Sequence, residues 1–297
     1  MTAERCARMQ SRTDLALEKH EQIGEQGRVP GVEVRTWTAG ETRVTRILVR
    51  TADAARTLGK PAGSYYTVET EGFPDAFCLD DGTRRTLTKI LLRLLPKQGP
   101  VLVAGLGNPQ VTPDALGPRC AAQIFATRHI PEQTRRELSL PPLREVSAVA
   151  PGVTGQTGVE AAEAIDAICK KVRPAAVIAV DALAAANVRR LSRTVQISDV
   201  GVEPGSGVGN ARKALSRETL GVPVIAVGVP TVVDALSLAR SFWAGGAPNG
   251  ENAELADMVV APRDTDAVIA GAARLLSLSI NLALQKDLTA EMLMALV

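Results

Sequence analysis

Residues 101–108 read VLVAGLGN, residues 175–185 read AAVIAVDALAA and residues 222–236 read VPVIAVGVPTVVDAL. Each is a short apolar run without polar alternation that breaks into glycine or aspartate, the pattern of a strand covered on both faces. Two further runs, 144–158 (REVSAVAPGVTGQTG) and 194–210 (TVQISDVGVEPGSGVGN), have the same character. Between them the apolar positions take a helical period, predicting helices over about Asp114–Arg128, Val159–Lys171 and Asp264–Leu284. Before them, Asp81–Pro96 places Leu87, Ile90, Leu91 and Leu94 on one helical side. Strands alternating with helices predict an α/β fold, a mostly parallel sheet with helices on both faces. Residues 31–72 differ: VEVRTWTAGETRVTRILVRT alternates apolar and polar residues about an Ala39-Gly40-Glu41 tip, and SYYTVETEG follows. This stretch predicts an N-terminal β-rich elaboration on the same domain. LALEKHEQIGEQ, from Leu15, is helix-prone, and 244–250 reads as a surface loop.

The composition narrows the function. The 297 residues carry 34 Lys+Arg against 32 Asp+Glu, a net charge of +2 without the basic excess of a dedicated nucleic-acid binder. No unbroken apolar run reaches the roughly 18 residues of a membrane helix. The nearest candidate, Val222–Ala239, is cut by two prolines and Asp234. The first 14 residues have no apolar segment of a secretory signal. Four cysteines, at 6, 78, 120 and 169, show no CxxC spacing, and two histidines exclude a His-rich metal site. These features predict a soluble, cytoplasmic protein. Aromatics are only 3%, so Ala, Val and Leu must fill the core.

Ligands of an open parallel sheet gather beyond the carboxyl ends of its strands. The residues there are GLGNPQVTPDALG (105–117), Asp181, Asp199 with PGSGVGN (204–210), and Gly228, Pro230 and Asp234. The glycine loops fail the nucleotide fingerprints: Gln110 breaks GxGxxG in the first, Asn210 breaks it in the second, and neither ends in GK[ST]. Ser206 lacks a GxSxG setting. Cys120 and Cys169 fall within predicted helices as core residues, and His129 lies at a predicted helix end. Two carboxylates remain. Asp114 follows Pro113 near a helix start, where a lone Asp commonly caps. Asp181 ends a buried strand, where an unpaired charge is costly. Brought together, two such groups share a proton, one activating water and the other protonating a carbonyl oxygen.

These segments resemble the germination proteases of spore-forming bacteria, aspartic-type endopeptidases that degrade small acid-soluble spore proteins. The resemblance runs through GLGNPQVTPDALGP (105–118), TRHI (127–130), PGVTGQTGVE (151–160), AVDALAA (179–185) and residues 196–235. It covers nearly the whole chain and is weakest over 31–62. It implies catalytic aspartates in the TPDALG and DALAA motifs, hence Asp114 and Asp181, and a fold similar to the hydrogenase-maturation peptidases. It implies no cofactor and no metal. The expected partners are spore proteins as substrates, with neither nucleic acid nor membrane. A homo-oligomer, up to a tetramer, in the forespore or spore core is expected as well. The chain departs from the family in a shortened 236–260 interval. Asn108, Gly205, Ser206, Gly207, Gly209 and Asn210 are expected to line the cleft, bind substrate backbone and stabilise the oxyanion. A metal-dependent maturation-type peptidase using Asp114, Asp181 and His129 is an alternative, and a phosphate-binding module built on the glycine loops is another.

The N-terminus carries an internal echo of this activity. Family substrates are similar to T-E-[F/I]-A-x-E, cut after the first acid. Residues 13–18 read Thr-Asp-Leu-Ala-Leu-Glu, matching class for class. The same residues also read as a helix start capped by Thr13 or Asp14, with Glu18 one turn on. The resemblance implies a zymogen that cuts between Asp14 and Leu15. Residues 1–14 are then a propeptide and 15–297 a single peptidase domain, with its catalytic core in 99–240 and a closing helix at 264–284.

Overall fold

In a computed structural model of the chain, described here for residues 12–24, 29–73, 81–137, 139–205, 212–242 and 258–296, nine strands form one mixed sheet. They are β1 (Val32–Ala39), β2 (Thr42–Val49), β3 (Gly63–Glu69), β4 (Val101–Gly105), β5 (Val146–Val149), β6 (Ala176–Ala185), β7 (Thr194–Ser198), β8 (Val224–Asp234) and β9 (Val259–Val260). Their order is β1-β2-β3-β7-β8-β6-β4-β5, with β9 beside β8.

Only part of this sheet is parallel. The pairs β4–β5, β4–β6 and β6–β8 are parallel, whereas β1–β2, β2–β3, β3–β7, β7–β8 and β8–β9 are antiparallel. The expectation of a mostly parallel sheet is therefore corrected to a mixed one. The β-rich stretch is joined edge to edge with the core through β3 and β7. TVQIS alternates polar Thr194, Gln196 and Ser198 with apolar Val195 and Ile197, the pattern of an antiparallel strand, and in this it departs from the continuous runs of β4 and β6.

Alternate residues of the parallel strands enter opposite cores. Val101, Val103, Ile178 and Val180 join Leu87 and Leu91 of the Asp81–Leu94 helix and Leu276 and Ile280 of the Thr265–Leu284 helix. Leu102, Ala104, Val177 and Ala179 join Ile165 and Cys169 of the Ala161–Val172 helix. Cys120 and Cys169 are buried core thiols, as their sequence positions predict. Thr265–Leu284 is long and apolar enough by composition to cross a membrane, nearer to that limit than Val222–Ala239. Its most apolar window is 78% buried in this protein, as a core helix is.

Three local expectations change. The predicted Asp114–Arg128 helix is a 3-10 turn, Thr112–Asp114, followed by a short helix, Leu116–Ala121. The chain then leaves the helix because the Thr127 and Arg128 amides both donate to the Val146 carbonyl beside β5. His129 accordingly lies exposed on a turn, away from any helix C-terminus. Asp181 does not end its strand: β6 and β8 continue together beyond the end of β4, pairing Asp181 with Gly228 and Leu183 with Pro230, with a register shift after Leu183. The shift accommodates the missing amide of Pro230 inside a strand. The expected loop at 244–250 lies outside the described residues.

Candidate active site

Three glycines bring the two aspartates of interest together. A Cβ on Gly117 would stand 2.2 Å from the Leu106 carbonyl oxygen and 2.5 Å from that of Val180. Only glycine lets the Leu116–Ala121 helix press so closely on the ends of β4 and β6. Gly105 makes the reciprocal approach, since its Cβ would lie 2.0 Å from the Gly117 carbonyl oxygen. Gly107 has φ +111°, and a Cβ there would collide with the Asp114 backbone. The turn that results folds the 3-10 segment back over β6. Thr231 on β8 fastens it, donating its hydroxyl to the Pro113 carbonyl at 2.7 Å.

Asp114 accepts the Asn108 amide on Oδ2 at 2.7 Å. The Asn108 side chain faces the other way, its Oδ1 accepting the Gln110 amide and the Gln156 carboxamide, each at 2.9 Å. Asp181 is only 6% exposed, and its Oδ1 accepts the Ala182 amide at 2.9 Å. Both aspartates line a cavity of about 310 Å³, together with Gly107, Gly205 and Arg212. Burial lifts the Asp114 carboxyl above the ordinary carboxylate range, opposed by the Asn108 amide and the Arg212 charge. Asp181 is lifted well above that range, first by burial and then by repulsion from Asp114 and Asp14, against the Ala182 amide and Arg212. Asp114 is therefore the first of the two to ionise, and Asp181 keeps its proton longer.

The other strand-end aspartates are spoken for. Asp199 Oδ1 accepts the Ser64 amide at 2.7 Å, tying β7 to β3. Asp234 Oδ2 accepts both the amide and the hydroxyl of Ser237 at the start of the Ala235–Phe242 helix. Among the described residues no three His, Cys, Asp or Glu side chains form a metal-binding group. His129 lies outside the cavity that Asp114 and Asp181 share. Ser206, Gly207, Gly209 and Asn210 lie outside the described residues; Gly205, with φ +75°, and Pro204 line the cavity.

The N-terminal segment lies against this site. The Asp14 amide donates to the Ala184 carbonyl at 2.9 Å, and the Ala184 amide returns a bond to Asp14 Oδ2 at 2.8 Å. Leu15 is wholly buried against Leu183 and Ala185. Glu18, 3% exposed, accepts the Ala186 and Asn187 amides at 2.7 and 3.0 Å, and stands 3.5 Å from the Arg190 guanidinium. Thr13 donates its hydroxyl to Glu18 and accepts the Leu15 amide, but the helix begins only at Ala16, so neither Thr13 nor Asp14 stands at the expected cap position. Lys19 and Lys60, both held below the usual lysine range by burial, feel the Asp14 carboxylate as their main counter-charge.

A sequence model described as germination protease matches residues 10–242. The chain belongs to the germination protease family. It is 39% identical to the germination protease of Caldanaerobacter subterraneus subsp. tengcongensis, with 94% of this chain and 95% of that one covered. It is 36% identical to that of Clostridium tetani, with 95% and 98% covered. The Bacillus cereus germination protease is 44% identical over 76% of this chain and 64% of its own length. Among solved structures, the [NiFe] hydrogenase maturation protease HycI of Thermococcus kodakarensis aligns with a TM-score of 0.38 and 16% identity. That alignment covers 66% of this chain and 98% of HycI. Family membership makes the chain a protease of spore germination.

Arg212 and Gln196 escaped the sequence reading. Arg212, just past the glycine loop, is the guanidinium whose charge favours ionisation of both aspartates. Gln196 is the largest of the three polar residues that alternate with Val195 and Ile197 in TVQIS, and that alternation was the available signal.

Proposed function

We propose that this chain is the endopeptidase that begins degradation of small acid-soluble spore proteins during germination, in the spore core, with Asp114 and Asp181 as its acid–base pair. The observation that carries this reading is a buried carboxyl, Asp181, beside a second carboxyl, Asp114, in one cavity that also receives Asp14 of a peptide segment; burial and the neighbouring acids raise Asp181 well above the ordinary carboxylate range. Ionised Asp114 takes a proton from water, and the water oxygen attacks the peptide carbonyl carbon. Asp181 gives its proton to the carbonyl oxygen. The tetrahedral intermediate then collapses: the C–N bond breaks, the amine leaves with the proton held by Asp114, and the gem-diol hydroxyl returns a proton to Asp181. Arg212 keeps the pair from carrying two protons, since its charge favours ionisation of both.

The enzyme is made as a zymogen that cuts its own Asp14–Leu15 bond. Support comes from the docked Thr13–Glu18 segment, with Asp14 in the same cavity as both aspartates and Leu15 in an apolar pocket. The lysines facing Asp14 favour an acid before the cut, and Leu183 and Ala185 favour a large apolar residue after it. The test is incubation with a purified acid-soluble spore protein, followed by mass spectrometry of the fragments. Cuts after acidic residues and before large apolar ones are expected from wild type, with none from Asp114→Asn or Asp181→Asn. Fragmentation by either variant at wild-type rate would overturn the reading.

A further inference from the structure

Gln196 lies on β7 in the same row as Gly228 on β8 and Asp181 on β6. At about 4.8 Å per strand, the Gln196 and Asp181 Cα atoms stand roughly 10 Å apart. The residue between them has no side chain, and the Leu183 side chain lies in the space its Cβ would take, 2.6 Å from that position at Cγ. Val195 and Ile197 enter the opposite core, which turns Gln196 to the face that carries Asp181. Both line one cavity with Asp14 and Leu183.

The Gln196 carboxamide holds a particular stretch of backbone. Its Nε2 donates to the Asp14 carbonyl oxygen at 3.0 Å, and its Oε1 accepts the Ala16 amide at 2.8 Å. The two bonds fix the amide orientation, because a carbonyl oxygen can only accept and an N–H can only donate. They bracket the Asp14–Leu15 peptide bond, touching the carbonyl before it and the amide one residue beyond. Pinning both sides sets the register of the chain in the cleft.

We infer that Gln196 is a further catalytic residue: its Nε2–H stabilises the oxyanion that forms on the carbonyl of the bond being cut. The inference rests on the reading that Asp14–Leu15 is that bond. As water adds, the carbonyl oxygen gains negative charge until Asp181 protonates it. A side-chain amide already aimed at that oxygen strengthens its bond during this step without reorganising. Gln196 forms no covalent bond and keeps both of its protons. Asp181 on β6 and Gln196 on β7 thus serve the same oxygen from the two strands that flank Gly228.

The experiment follows self-cleavage of the full-length protein by N-terminal sequencing and intact mass, for wild type, Gln196→Glu and Gln196→Leu. Amide hydrogen exchange over residues 15–18 is measured in parallel. Gln196→Glu keeps the acceptor for the Ala16 amide and loses the donor to the carbonyl; Gln196→Leu loses both. Cleavage in Gln196→Glu is expected to slow by about 10²–10³-fold, the loss seen when one oxyanion donor is removed. Exchange protection over 15–18 should persist, since Glu18 still holds Ala186 and Asn187. Gln196→Leu should be at least as slow. Wild-type rates in both variants would overturn the inference, as would a slowing no larger than the loss of protection, which marks a docking residue only. If wild type itself is never cut at Asp14–Leu15, the self-processing reading fails, an outcome distinct from failure of Gln196 alone.

Discussion

The stretch of β6 beyond β4 and the far ends of β7 and β8 each carry aspartate, yet the surroundings differ in kind. Asp199 and Asp234 spend their carboxylates on neighbouring backbone: one accepts the Ser64 amide, the other the Ser237 amide and hydroxyl. Asp181 is buried, as Asp234 is and the exposed Asp199 is not, but it receives one amide, that of Ala182, and faces two other acids, Asp114 and Asp14. A carboxylate that closes a helix or joins strands is stabilised in its charged form. One crowded by other acids in a dry cavity is held neutral, and a carboxylic acid held neutral has a proton to give. Residue type and position near a strand end are therefore poor guides by themselves. The accounting of donors separates structural from chemical aspartates.

The largest effect that sharpens this contrast is on catalysis. Asp114→Asn should lower cleavage of a spore protein by at least about 10³-fold, since it removes a general base and not a contact. Circular dichroism and thermal unfolding should show an intact fold. Asp199→Asn, by contrast, should retain most activity. Comparable losses in both would erase the distinction between the two regions.

Next in size is release of the docked segment. Glu18→Gln removes a buried charge bonded to two amides and facing Arg190. Hydrogen bonds to charged groups contribute about 1.5–3 kcal/mol each way. Opening of residues 13–18 should rise by tenfold or more, read as faster amide exchange over 15–18. Unchanged exchange would show that the Asp14–Ala184 bonds, Leu15 and Gln196 hold the segment without Glu18.

Smaller still is the cost of a cap. Asp234→Ala removes the acceptor at the start of the Ala235–Phe242 helix and should cost about 1 kcal/mol of stability, measured by denaturant unfolding, with the chemistry intact. A large loss of activity without that loss of stability would place Asp234 among the chemical aspartates.

The pH dependence of stability tests the surroundings of Asp181 directly. The folded state raises the Asp181 carboxyl, so the stability this group contributes is full below its unfolded-state pKa and is lost as pH rises through its folded one. Asp181→Asn supplies a permanently neutral group of the same shape. It should unfold at a higher temperature than wild type near neutral pH, with the gap closing on acidification below the ordinary carboxylate range. A variant less stable than wild type at neutral pH would mean that Asp181 is held as a charged structural group.

Much of this was legible in the sequence. The apolar runs located β4, β6 and β8, and the breaks in them located Asp114 and Asp181. Strand direction was not read from the apolar runs, although β7 alternates Thr194, Gln196 and Ser198 with Val195 and Ile197, an antiparallel signature that sets it apart from β4 and β6. Nor was the length of β6: Ala182–Ala185 is helix-prone by composition, and only pairing with β8 extends it as strand. The docking of Thr13–Glu18 was half legible. Thr13 and Glu18 do meet, side chain to side chain, but the amides of Ala186 and Asn187 that complete the Glu18 site lie some 168 residues away, and no local pattern announces them. Gln196 was missed for the same reason, since its partners are backbone groups of a distant segment.

The most direct test of the acid pair is the pH profile of cleavage of a purified acid-soluble spore protein by wild type, followed as fragment mass against time. The mechanism needs one proton shared by Asp114 and Asp181. Activity should therefore rise as Asp114 ionises and fall as Asp181 loses its proton, and both limbs should lie above the ordinary carboxylate range because both carboxyls are raised. A rate that climbs with pH and stays high after both carboxyls have ionised would contradict the claim that Asp181 acts as the acid.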